Sequence, residues 1–148
     1  MTVLTQDSVV GAISGILNAL NLAVAAIAAI SLAVAGIGIL NVMLVSVAER
    51  TGEIGLLKAL GAGRRQILAL FLVEAVALSS AGGLAGLAAG YAAAQATARL
   101  FPALPTSPPA WAVVAAGVLA VAVGGTFGYL PARRAARLEP VEALRGTA

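Results

Sequence analysis

From Ser8 to Ala48 the chain runs for 41 residues without one charged side chain. About 20 apolar helical residues cross the hydrocarbon core of a bilayer, and 41 of them at ~1.5 Å each would reach roughly 60 Å. The run is therefore too long for a single perpendicular crossing and is expected to divide. Its first part carries Ser8, Gly11, Ser14, Gly15, Asn18 and Asn21, while Val9, Val10, Ile13, Ile16, Leu17 and Leu20 recur at helical spacing. Residues 1–21 are accordingly predicted to hold an amphipathic helix outside the membrane core, continuous with a span over 22–48.

Composition supports a membrane protein. Hydrophobic residues make up 61% of the chain and charged residues 10%, against about a quarter charged in soluble domains. There is no His and no Cys, which removes zinc sites, thiol nucleophiles and Ser-His-Asp arrangements within this chain. No catalytic residue, metal site or cofactor is predicted here. A net charge of +3 invites a nucleic-acid reading, but aromatics are only 4% and the basic residues flank apolar runs. They read as topology signals, not as nucleic-acid contacts. The opening Met-Thr-Val-Leu-Thr-Gln-Asp lacks the basic start and the cleavage site of a signal peptide.

A second uncharged run, broken only by Glu74, predicts a span over 66–98. In it Gly82, Gly83, Gly86 and Gly90 form the small-residue spacing that lets helices approach closely in lipid. Pro102, Pro105, Pro108 and Pro109 follow and cannot continue a helix, so 99–109 is expected to be a loop. A third span is predicted over 110–130, with Trp111 and Tyr129 near its ends as interfacial anchors. Residues 131–148 form a tail.

Basic residues set the direction. Arg50, Lys58, Arg64 and Arg65 lie in the 49–65 connection, and Arg133, Arg134, Arg137 and Arg145 in the tail, whereas the opposite side holds only Arg99. The positive-inside rule places the amino terminus outside and the carboxyl terminus in the cytoplasm. An end delivered outside without a signal sequence implies a preceding span, in this chain or another.

The connection from Glu49 to Arg65 has room for one short helix and a turn. Ile54, Leu57 and Leu60 are expected to face lipid or the bundle, and Glu49, Arg50, Glu53 and Lys58 to face water. Gly61 and Gly63 would end the helix, because glycine adopts the left-handed cap conformation without penalty. Two readings stand: a solvated hairpin, or a docking element whose mixed charges set the register of a cytoplasmic partner.

Three ordered motifs carry a family resemblance. They are the run from Ile30 through Gly36-Ile37-Gly38-Ile39-Leu40-Asn41-Val42-Met43 to Glu49-Arg50-Thr51, followed by Glu53-Ile54-Gly55 and Lys58-Ala59-Leu60-Gly61-Ala62; Phe71-Leu72-Val73-Glu74-Ala75-Val76; and Gly128-Tyr129-Leu130-Pro131-Ala132-Arg133-Arg134 through Arg145. The chain resembles the permeases of the macrolide-exporter (MacB-type) family, also called FtsX-like permeases. The resemblance implies an all-α membrane protein: three transmembrane helices, an N-terminal stalk helix and a short cytoplasmic coupling helix. It implies a homo- or heterodimeric permease in the bacterial inner membrane that docks a separate ABC ATPase, with ATP and magnesium held by that partner. Glu49, Arg50, Glu53, Ile54, Gly55, Leu57, Lys58 and Gly61 would then form the ATPase-coupling segment. Gly52 stands where the family usually has a basic residue, and the family's first span and extracytoplasmic domain have no counterpart in this sequence. No G-x-x-x-x-G-K-[ST] phosphate loop is present.

Glu74 lies about eight residues into the second span, a depth at which a charge needs a partner. It could pair with a basic residue of another helix, stay protonated, or bond Asn41, serving as a polar clamp or in conformational switching. Arg133, Arg134 and Arg137 are expected to anchor the third span in anionic headgroups. Glu139-Pro140-Val141-Glu142 reads as a helix start. Two other functions remain open: a cell-division-type scaffold signalling to extracytoplasmic hydrolases, and a small holin-like pore, for which the polar residues of the spans are poorly aligned.

Overall fold

The computed structural model describes residues 6–101 and 108–139. Four helices follow one another: α1 (Gln6–Glu49), α2 (Thr51–Ala59), α3 (Arg64–Leu100) and α4 (Ala110–Arg137). There is no strand among the described residues. Helices α1, α3 and α4 are each long and apolar enough to cross a membrane. The predicted all-α, three-span architecture is thus observed.

Residues 1–35 and 36–148 form two separate packing units. In the first, every described side chain from Ser8 to Ala35 is exposed. The hydroxyls of this stretch are satisfied locally: Ser14 Oγ donates to the Val10 carbonyl at 2.8 Å and Ser31 Oγ to that of Ile27 at 2.9 Å. Such i−4 bonding hides the hydroxyl against its own helix and lets serine sit in apolar surroundings. No break falls between residues 21 and 22, so the segment predicted as an amphipathic helix and the first span share one helix.

The second unit is held together at one end. Met43 and Val47 of α1, Ile54 of α2, Ile67, Phe71 and Ala75 of α3, and Ala132, Ala135 and Ala136 of α4 make one buried cluster. Alanine and glycine supply most of the α4 side, so backbones approach closely and gain dispersion contacts where lipid offers no hydrophobic drive. A Cβ at Gly124 would stand 2.9 Å from both the Ala75 carbonyl oxygen and Val76 Cα, and one at Gly128 would overlap the Ala75 Cβ. Gly36 of α1 meets the Phe127 ring in the same way.

The predicted glycine series on α3 is placed differently. Gly83 lies against Ala120, where a Cβ would stand 2.8 Å from the alanine methyl, but Gly82, Gly86 and Gly90 have nothing within 4 Å of the position a Cβ would take. Besides Gly83, the close α3–α4 contacts come from the Gly124-x-x-x-Gly128 pair, itself a small-residue spacing.

Helix α4 does not end at Leu130. It continues through a buried Pro131 to Arg137. Proline removes one i→i−4 bond from a helix interior, and the tight packing of Ala132, Ala135 and Ala136 keeps the helix going. The predicted start at Glu139-Pro140 lies outside the described residues beyond Glu139. So does most of the proline-rich loop.

Candidate functional site

Helix α2 is tied to each of the long helices by a different physical device. At its start the chain turns on Arg50, whose N–H donates to the Ser46 carbonyl at 3.1 Å while its own carbonyl accepts from Ile54 N–H at 3.0 Å. Thr51 Oγ1 donates back to the carbonyls of Val47 (3.0 Å) and Ala48 (2.8 Å). No slack separates α1 from α2.

Its far end is a Schellman turn. Ala62 N–H reaches the Leu57 carbonyl at 2.9 Å and Gly61 N–H that of Lys58 at 3.0 Å, the paired bonds that close such a cap. Gly61 has φ +99°, a conformation that side chains with a Cβ rarely adopt. Gly63 then caps α3, its N–H donating to Gln66 Oε1 at 2.8 Å. Gly61 ends α2 in the left-handed conformation as the sequence predicts, whereas Gly63, extended at φ −74°, does not end α2 but caps the start of α3.

Lys58 supplies the link to α4. Its Nζ donates to the Ala136 carbonyl at 2.8 Å and to the Leu138 carbonyl. The last carbonyls of a helix lack intrahelical partners and carry its negative dipole end, so the ammonium acts as a cap supplied by another helix. Burial, and then the neighbouring Arg64, push the Lys58 ammonium below its ordinary pKa, while Glu139 opposes them. The expectation that Lys58 faces water is corrected: it is half-buried and turned inward, because the extension of α4 past Pro131 brings open carbonyls within its reach.

A looser tie joins the α1–α2 corner to α3. Arg50 Nη1 lies 3.4 Å from both carboxylate oxygens of Glu74, with the two side chains 50% and 38% exposed. At 3.4 Å the contact is longer than a charge-assisted hydrogen bond. Of the partners considered for Glu74, a basic residue is the one it meets. Asn41 is exposed and forms no bond to it among the described residues.

These ties divide α2 into two stripes. Thr51, Ile54, Gly55 and Lys58, at spacings of three and four, are buried or half-buried, with Ile54 only 2% exposed. Glu53, Leu56, Leu57 and Leu60 form the opposite stripe and are exposed, Leu60 at 78%. Leucine is thus presented outward from a helix anchored by its other side. Glu49 is exposed just before it.

Residues 25–140 match the family described as FtsX-like permease C-terminal. The chain belongs to this family. Its relatives include the uncharacterized ABC transporter permease YknZ of Bacillus subtilis, 44% identical over 97% of this chain and 36% of that protein. The macrolide export ATP-binding/permease protein MacB of Bradyrhizobium diazoefficiens is 46% identical over 96% of this chain and 22% of its own length. The pyoverdine export ATP-binding/permease protein PvdT of Pseudomonas putida is 49% identical over 86% of this chain and 19% of its own. The chain therefore spans about a third or less of these curated relatives. In this FtsX-like permease domain, α2 and its two turns fall inside the matched region.

The predicted basic anchor also separates on inspection. Arg133 and Arg137 line one cleft together with Arg64 and Arg65, whereas Arg134 is not among its lining residues. The grouping of two α3 arginines with two α4 arginines was not foreseen, because it depends on how the two helices pack. The i, i+4 spacing of Arg133 and Arg137 is the signal that was available.

Proposed function

We propose that this FtsX-like permease domain is the membrane part of an ABC-type exporter or mechanotransmission permease, with α2 as the helix on which a separate cytoplasmic ATPase docks. One observation carries this reading: α2 is joined by tight turns to α1 and α3 and by Lys58 to α4, while its outward stripe of Glu53, Leu56, Leu57 and Leu60 is exposed. A partner that moves α2 moves three spans at once. The chain's similarity to MacB and PvdT, both export ATP-binding/permease proteins, supports the transport class.

In this reading the ATPase binds ATP and magnesium, and this chain supplies no catalytic group. The α2 side is cytoplasmic, by the basic-residue bias, and the amino-terminal part of α1 transmits motion outward. Two permease chains, alike or related, assemble with the ATPases. Hydroxyls of the second unit argue against a water-lined pore, since Ser79, Thr97 and Thr126 all donate to carbonyls of their own helices.

Co-purification with candidate ATPases from the same cell tests the docking role. Glu53→Lys and Leu60→Asp alter only the outward stripe and are expected to abolish capture while leaving the chain folded. Capture that survives both substitutions would place the ATPase elsewhere and sink the proposal.

A further inference from the structure

Arg64 and Arg65 open α3, and Arg133 and Arg137 sit one turn apart near the end of α4. All four line a single open cleft of about 260 Å³, together with Leu68, Ala136 and Tyr129. No acidic side chain lines it. Among the described residues none of the four arginines forms an ion pair, the recorded pair being Arg50–Glu74. Four guanidinium-bearing side chains thus share one cleft with no carboxylate among its lining residues. The amino-terminal end of α3 adds its positive dipole at the same rim.

The cleft's position selects among anions. It lies where two long apolar helices end, and a tyrosine at its edge is the side chain favoured at headgroup depth. Leu68 and Ala136 add apolar side chains to its lining, which suits a group attached to hydrocarbon better than a free ion. Guanidinium forks match phosphate oxygens bidentately, unlike a lysine point charge. We infer that this cleft is a binding site for the phosphodiester headgroup of an anionic membrane lipid, held between α3 and α4 at the α2 end of the bundle. The inference rests on the reading that α3 and α4 cross the membrane, but on no ATPase contact. By joining the first turn of α3 to the last turns of α4, the lipid would brace the two elements that also receive α2.

The test uses the whole chain, purified in detergent, stripped of lipid and offered mixed micelles of equal phosphatidylglycerol and phosphatidylcholine. Retained lipid is then quantified. Phosphatidylglycerol is expected to be enriched, and each arginine removed should lower its retention about fivefold. The paired variants Arg133→Gln with Arg137→Gln, and Arg64→Gln with Arg65→Gln, approach the site from different helices, so misfolding of one does not void the result. Arg99→Gln, at the other end of α3, should change nothing. Inorganic phosphate should fail to displace the lipid; displacement by it would reduce the cleft to a free-phosphate site and overturn the lipid assignment. Equal retention of the two lipids, or retention indifferent to both paired variants, would overturn it as well. Because no ATPase is present, failure of the docking proposal would leave this result unaffected.

Discussion

The two ends of the α3–α4 pair are built from similar residues, yet side chains are fully buried near α2 and at most half-buried at the far end. Near α2, Phe71, Ala75, Ala132 and Ala135 are closed off by the chain itself. At the far end Leu84, Tyr91, Val114 and Val118 are exposed, and glycines 86 and 90 face open space. Small residues alone therefore do not make a helix contact in this fold. A contact forms where a glycine on one helix has a facing residue on another, as Gly128 has Ala75 and Gly36 has Phe127. The far end presents its apolar surface to whatever surrounds it, and the α2 end is a fixed mechanical joint.

Substitutions sharpen this contrast. Phe71→Ala should have the largest effect, because it empties the centre of the joint; a loss of about 3 kcal/mol is expected from lost packing and the cavity left behind. Thermal unfolding in detergent measures it. Gly124→Ala should cost about 1–3 kcal/mol by the same assay, since the new methyl meets the backbone of Ala75 and Val76 and neither can yield cheaply. Lys58→Met, nearly isosteric along its stem, should cost about 1–3 kcal/mol by leaving the Ala136 and Leu138 carbonyls without their donor. Gly61→Ala, read from the same melting curves, should cost about 1–2 kcal/mol because of its positive φ. Gly86→Ala is the control at the far end and should stay within about 0.5 kcal/mol. If Gly86→Ala were as damaging as Gly124→Ala, the two ends would not differ as described.

Much of this was legible in the residues. Long uncharged runs fix the number of spans because lipid tolerates no unpaired backbone and few charges, and Gly61 marks the end of α2 because few other residues accept its φ. The inward turn of Lys58 was not legible. It depends on α4 continuing through Pro131, and a proline after an apolar span reads as an ending when viewed alone. Similarly, the four glycines on α3 and the pair Gly124 and Gly128 on α4 have equally suitable spacing, and only the packed helices distinguish them. Spacing shows which helix face is smooth but not which neighbour it meets. Glu74 sits between these cases: its depth required a partner, and only the fold could choose Arg50.

The cap that Lys58 provides has a consequence for exchange with solvent. If α2 lifts by little more than the length of one hydrogen bond, the final carbonyls of α4 lose their donor together, and the last turn of α4 has less reason to stay wound. Opening of α2 and fraying of α4 are thereby linked in one local unfolding event. Amide protons of residues 54–58 and 134–138 should exchange at a common rate, and Lys58→Met should separate the two rates.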